Sequence, residues 1–203
     1  MFYREAGDFS TSYPEDSQTF PIRFDRYRYY FVLFVAIFVI PFTINDYWVN
    51  SIFLPFLIYA IAAIGLNILV GYCGQVSLGT GGFMAVGAYA CYKLMTSFPE
   101  VSMLIHVLIA GLITAGVGVL FGLPSLRIKG FYLAVATLAA QFFLVWLFNR
   151  VPWFYNYSAS GQISAPERTV FGIEVTGPNT EAWATYLFCL AFVIFSAVIA
   201  RNL

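Results

Sequence analysis

Apolar residues run through this chain in long blocks, and the polar positions between them are few enough to act as punctuation. After Arg28 no side chain ionises before Asp46, none ionises between Asp46 and Lys93, and residues 101–126, 130–149 and 182–200 are also free of charge. An ionised side chain at the centre of a bilayer costs about 2.5–3.5 kcal/mol on insertion scales, and a helix needs about 20 residues to cross the hydrocarbon. The charge-free blocks therefore predict six spans, at residues 29–44, 51–70, 76–94, 103–123, 131–149 and 182–200. The third is the least regular, because glycine and polar residues interrupt it. The expected fold class is all-α, a polytopic transmembrane helix bundle with a glycine-rich, broken helix near residues 71–82.

Composition sharpens this picture. Hydrophobic residues make up 61% of the 203 positions and charged ones 10%, against about 45–50% and about 25% in soluble domains. Nine of the twenty formal charges precede Tyr29. Residues 1–28 thus form a polar amino-terminal tail without periodicity, expected to be disordered, and residues 29–203 form the transmembrane domain. A cleaved signal peptide does not fit, since the polar lead is long and the first apolar run ends in Ile40-Pro41-Phe42-Thr43 with no small-residue cleavage site.

The signs of the charges orient the bundle, because short loops rich in Lys and Arg stay on the cytoplasmic side. Arg23, Arg26 and Arg28 precede the first span. Arg127 and Lys129 lie in a short turn between Pro124 and Gly130, and Arg201 follows the last span. These place both ends inside. The opposite side then receives Asp46, Glu100, Glu167, Glu174 and Glu181, with Arg150 and Arg168. It also receives the longest connection, the outer loop at residues 150–181, where Trp153, Phe154, Tyr155 and Tyr157 suit an aromatic belt. Docking of a partner and a simple ordered excursion both fit that loop.

Reactive chemistry is sparse. The net charge is zero and no basic stripe exists to neutralise phosphates, so nucleic acid is not an expected partner. Cys73, Cys91 and Cys189 have no metal-ligand or disulfide spacing, and His106 is the single histidine with no neighbouring acid or serine. Residues 74–79 have the glycine spacing of a phosphate-binding loop. Thr80-Gly81 nevertheless follows where Lys and Ser or Thr must stand. No catalytic residue, metal site or cofactor is expected, and no carboxylate lies deep in a span to serve a proton relay.

The distinctive signal is glycine. Gly65, Gly71, Gly74, Gly79, Gly81, Gly82 and Gly87 are seven of the sixteen in the chain, interleaved with Asn67, Gln75, Ser77 and Thr80 in a charge-free stretch. Glycine costs a helix interior about 1 kcal/mol relative to Ala. Two readings stay open: small residues that let helices cross closely, and a helix break whose freed backbone lines a wet pathway. Gly118 and Gly122, preceded by Gly111 and Gly116, and Ala134, Ala136, Ala139 and Ala140 offer further small faces for helix crossings.

Two long stretches bring a family into view. The segment GLNILVGY at residues 65–72, continuing through GQVSLGTGGFMAVGAYA, and the segment GLPSLRIKGFYLAVATLA beginning at Gly122 resemble the membrane permease subunit of branched-chain amino-acid ABC importers, a family that also includes urea and amide permeases. They are contiguous, in the right order, and cover roughly residues 61–140. The resemblance implies a subunit that hydrolyses no ATP itself and imports branched-chain amino acids or related small solutes across the bacterial inner membrane. It implies as partners a second related permease, two cytoplasmic ATPase subunits, a periplasmic solute-binding protein and membrane lipid. By the same resemblance Asn67, Gln75, Ser77 and Thr80 are transport-path candidates, with Gly71, Gly74, Gly79, Gly81, Gly82 and Gly87 for the break and its packing and Arg127 and Lys129 for a cytoplasmic basic turn. Thr80 stands where many members carry histidine. Members also continue past the point where this chain stops, so a fragment is expected. An ion-driven secondary carrier and a non-transporting membrane scaffold are the alternatives from other classes.

Overall fold

The computed structural model describes residues 12–13, 23–43, 45–125, 131–160, 163–170, 172–177 and 180–203. The chain divides into two compact units, Met1–Asn45 and Asp46–Leu203. In the first, helix α1 (Arg23–Phe34) passes through a π-helical turn (Val35–Val39) into α2 (Ile40–Thr43). The second unit opens with α3 (Asp46–Trp48), a π-helical turn (Val49–Phe53) and α4 (Leu54–Cys73). It continues with α5 (Thr80–Ser97), α6 (Met103–Ser125), α7 (Phe131–Arg150), a 3-10 turn (Pro152–Tyr155), the strands β1 (Arg168–Val170) and β2 (Ile173–Thr176), and α8 (Ala182–Asn202).

Both π turns have the same local cause. Each ends two residues before a proline, Pro41 in one unit and Pro55 in the other. A proline in a helix offers no N–H, and its ring collides with the carbonyl four residues back. That carbonyl belongs to Ile37 or Ser51, inside the π turn, where the wider winding moves it aside. The closing bonds run from the Ile40 N–H to the Val35 carbonyl and from the Leu54 N–H to the Val49 carbonyl, five residues apart in each case.

Five helical segments among the described residues are long and apolar enough to cross a membrane: Arg26–Thr43, Asp46–Cys73, Met103–Leu123, Tyr132–Arg150 and Ala182–Asn202. The sixth segment is α5, an 18-residue helix that carries Lys93 and several glycines and is less apolar than the others. It begins at Thr80, four residues later than the hydropathy pattern predicts. The bundle leaves large apolar side chains such as Leu112, Leu120, Phe142 and Phe195 exposed, as a lipid-facing surface requires.

Within the second unit α5 packs on both α6 and α7, and α4 packs mainly on α8. Tyr186 of α8 is buried edge-on against Phe53 at 6.2 Å between ring centroids. Between α5 and α7 lies an apolar core, where Val86, Leu144 and Phe148 are buried and the Tyr89 and Phe148 rings stack at 4.4 Å. Phe154 closes this core edge-on to Phe148, 4.8 Å away. The segment expected as an aromatic belt therefore contributes one ring to packing.

The α5–α7 crossing is close because α5 lacks side chains where it meets α7. A Cβ added at Gly79 would lie 2.7 Å from the Thr137 carbonyl oxygen, and one at Gly82 would lie 2.9 Å from the Gln141 Cα. Gly87 faces α6 instead, with the Thr114 hydroxyl 3.2 Å from where a Cβ would stand. By contrast nothing lies within 4 Å of such a Cβ at Gly111, Gly116, Gly118 or Gly122, so the GxxxG face makes no close crossing among the described residues.

The strands form an antiparallel hairpin turning at Gly172 (φ +83°) with a bulge between Arg168 and Thr169. It braces one end of the bundle, the hairpin end. The Arg168 guanidinium donates to the Met95 carbonyl at 2.5 Å and the Pro99 carbonyl at 2.9 Å, a cation at the carboxyl end of α5 where the helix dipole favours it. The Thr185 hydroxyl of α8 donates to the Val175 carbonyl at 2.8 Å.

Gly79→Ala and Gly82→Ala are each expected to destabilise the chain by about 1–3 kcal/mol through overpacking against α7, whereas Gly116→Ala should be neutral or stabilising by up to about 1 kcal/mol. Denaturant unfolding of the three variants in detergent, followed by circular dichroism, checks the contrast.

Candidate functional site

The site begins with the way α4 ends. Gly74 adopts a left-handed conformation (φ 63°, ψ 20°) while its N–H bonds back to the Val70 carbonyl, a C-terminal signal that suits glycine because it has no Cβ. Residues 74–79 are then non-helical until α5 starts at Thr80. Freed backbone groups in this linker find side-chain partners. The Leu78 N–H donates to the Thr137 hydroxyl at 2.9 Å, which itself donates to the Ala134 carbonyl at 2.9 Å, and the Gly79 N–H donates to the Ser77 hydroxyl at 3.3 Å. No side chain caps the start of α5, since Gly79 occupies the cap position. Its first N–H groups and the positive end of its dipole therefore remain available.

Beside this start lies a groove of about 570 Å³, bounded by α4, α5 and α6. It exists because α4 pairs with α8 while α5 pairs with α6 and α7, so that α4 and α5 touch only sparsely. From α4 come Ala62, Gly65, Leu66 and Leu69; from α5 come Thr80, Met84, Gly87 and Cys91, spaced by four, three and four residues along one helical face. Val107, Ala110, Gly111 and Thr114 of α6 form the remaining wall, and Ser77 of the linker stands at the same opening as Thr80. The surface is apolar, with the Phe83 ring among its aliphatic side chains, and carries three hydroxyls, those of Ser77, Thr80 and Thr114. Gly65, Gly87 and Gly111 keep it wide, since any side chain there would project into the space.

The sequence-predicted residues divide around this groove. Ser77 and Thr80 line it. Asn67 is exposed on α4 and Gln75 half-buried in the linker, and neither belongs to the lining. Gly71 is still within α4, with nothing near a built Cβ, whereas Gly74 makes the cap, Gly79 and Gly82 make the α7 crossing, Gly81 sits in ordinary contact with the Gln141 side chain and Gly87 lines the groove. Arg127 and Lys129 lie outside the described residues. Among the described residues no cluster of His, Cys, Asp or Glu could hold a metal ion. His106, in the first turn of α6, is 1% exposed with neither ring nitrogen bonded among the described residues.

The model of the family described as branched-chain amino acid transport system / permease component matches residues 49–202. The chain belongs to this family. Similar proteins include the high-affinity branched-chain amino acid transport system permease protein LivM of Salmonella typhimurium and its counterpart in Escherichia coli, each 36% identical over 132 residues. That alignment covers 64% of this chain and 30% of the length of each relative, so the chain matches less than a third of either protein. No solved structure matches. Membership of this permease family, with the apolar helices above, makes the chain a multi-pass membrane protein and a transport component. The family match begins at Val49, the first residue of the second π turn, and so contains the whole groove.

Sequence reasoning missed Thr114, Thr137 and Gln141. Thr114 supplies the third groove hydroxyl and donates to the Ala110 carbonyl at 2.8 Å. Thr137 holds the linker, and Gln141 lies beneath Gly81 and Gly82. The available signal was a polar side chain inside an otherwise apolar span. If the groove is wet, Cys91 is expected to react with a small methanethiosulfonate reagent in a chain whose other cysteines are replaced (Cys73→Ser, Cys189→Ser), and Gly87→Leu should strongly slow that reaction. Stopped labelling followed by mass spectrometry checks it.

Proposed function

We propose that this chain is the membrane permease subunit of an ATP-driven inner-membrane importer for branched-chain amino acids or related small solutes, and that the α4–α5–α6 groove is part of its translocation path. The observation that carries this reading is the juxtaposition of an apolar groove with an uncapped helix start. A branched-chain amino acid has one aliphatic end and one carboxylate. Leu66, Leu69 and Met84 offer the first an apolar wall, while the N–H groups at the start of α5, with the Ser77 and Thr80 hydroxyls, offer the second its donors. LivM of the two bacteria is by name a permease protein for the same class of solute.

In this reading the path is completed by a second, related permease, two cytoplasmic ATPase subunits drive the change between outward and inward access, and a periplasmic binding protein delivers solute. ATP binding shifts the population only through its different affinity for the two states. Residues 1–28 serve as a cytoplasmic tail and residues 29–203 as the permease domain. Arg127 and Lys129 mark a cytoplasmic turn, and residues 150–181 face the periplasm. Asn67 and Gln75 act outside the groove wall, on the subunit's own surface and in its linker.

In cells carrying the assembled importer, Ser77→Ala and Thr80→Val are each expected to lower labelled leucine uptake about three- to tenfold, the loss of one hydrogen bond to the passing solute. Gly87→Leu should lower it further by filling the groove, while Asn67→Ala and Gln75→Ala retain most of it. Uptake that ignores ATP depletion and follows an ion gradient would overturn the proposal in favour of a secondary carrier. For the topology, a reporter enzyme active only in the periplasm is expected to be active when inserted near residue 160 and silent near residue 128; the reverse pattern would invert the bundle.

A further inference from the structure

Helix α5 has a second lined face that the groove does not use. Val86, Ala90, Lys93 and Ser97 repeat its spacing of four, three and four, and they border a separate cavity of about 390 Å³ at the hairpin end. Apolar side chains of α6 and α7, Ile113, Val117 and Leu144 among them, form the far walls, and Trp153 and Phe154 of the 3-10 turn close the top. From Val86 to Lys93 the wall rises about 10 Å, at 1.5 Å per residue.

Polar groups gather at one end of this space. The Lys93 ammonium lies 4.2 Å from the Trp153 ring centroid and donates to the Asn156 side-chain oxygen. The Asn156 amide in turn donates to the Tyr92 hydroxyl at 3.1 Å. Asn156 has a left-handed backbone (φ 51°) that asparagine tolerates better than most residues, so the turn itself aims this amide at Lys93. An ammonium has three N–H donors, and its contacts among the described residues, an amide oxygen and a ring, include no anion. Ionisable residues within membrane helices are costly unless an opposite charge or water completes them.

We propose that this cavity is a lipid site: one acyl chain of an anionic membrane phospholipid fills the apolar space, and its phosphate pairs with Lys93. Charge complementarity selects the occupant. An amino-acid solute would bring an ammonium as well as a carboxylate, and the lining holds no carboxylate to receive it. An anionic amphiphile brings one negative end and a long apolar body, which matches one cation above an otherwise apolar cavity. The site is distinct from the groove, and it stands whether or not the transport reading does.

Trp153 makes the proposal measurable. In the whole chain reconstituted into vesicles, with Trp48→Phe, Trp146→Phe and Trp183→Phe leaving Trp153 as the fluorophore, quenching by phosphatidylglycerol brominated on its acyl chains is compared with quenching by brominated phosphatidylcholine. The expected result is half-maximal quenching at an about fivefold lower fraction of the anionic lipid. Lys93→Arg should keep the preference, Lys93→Gln should abolish it, and Ala90→Phe, which fills the cavity, should reduce quenching by both lipids. Equal quenching by the two lipids, or a preference that survives Lys93→Gln, would overturn the phosphate contact. Quenching untouched by Ala90→Phe would show that Trp153 meets only the bulk bilayer and would overturn the site. Relief of quenching by free leucine would assign the cavity to a solute instead.

Discussion

The position of α5 rests on two missing side chains. At Gly79 and Gly82 the backbone of α5 comes so near to Thr137 and Gln141 of α7 that even a methyl group would collide. With this contact fixed, the helix cannot rotate about its axis. Its glycine face is committed to α7, which leaves Thr80, Met84, Gly87 and Cys91 turned one way and Val86, Ala90, Lys93 and Ser97 another. Two differently lined spaces, one without a charged side chain and one with a single cation, follow from one helix crossing. Membrane helices have little hydrophobic drive to associate, so close packing of this kind carries much of the specificity.

The same crossing settles the linker before it. Backbone that leaves a helix inside a membrane must find partners. Residues 74–79 do so partly through α7, since the hydroxyl of Thr137 receives the Leu78 N–H beside the point where Gly79 touches the same residue. The first N–H groups of α5 are treated differently, because a glycine at the cap position can supply no side-chain oxygen. The linker is thus anchored on α7, and the helix start that follows it has no side-chain cap.

Much of this architecture was legible in the chain because charge is so expensive in hydrocarbon: the gaps between ionisable residues delimit five of the crossing helices closely. The family was legible too, in two contiguous stretches that the family match spans. The start of α5 was not, since apolar character continues through Val76 and Leu78 while the left-handed Gly74 has already ended the preceding helix. Nor was the choice among glycines. Gly118 and Gly122 carry the better-known spacing but meet nothing, and Gly79 and Gly82 carry the contact, because closeness depends on what the opposite helix presents. Thr137 and Gln141 sit about sixty residues away from the linker and the helix start that they respectively meet. The hairpin between Arg168 and Thr176 was hidden for a simpler reason: strands of three and four residues leave too short an alternation to read.

The π turn at Val49–Phe53 has a consequence for the groove's geometry. Such a turn is an α-helix that has absorbed one extra residue, and each residue of an α-helix subtends about 100°. Counting along Asp46–Cys73 at a constant period therefore loses phase at Phe53, and the helical wheel must be restarted at Leu54. Removing one residue from the turn would relax it to ordinary α-helix and leave Ala62, Gly65, Leu66 and Leu69 on the wall they occupy now. Removing one residue between Leu54 and Ala62 would turn each later residue into its predecessor's direction, which takes Ala62, Gly65 and Leu69 off the wall, puts Leu66 where Gly65 stands and brings Asn67 to the place of Leu66. The turn is a place where this chain can lose one residue without altering what α4 presents to the groove.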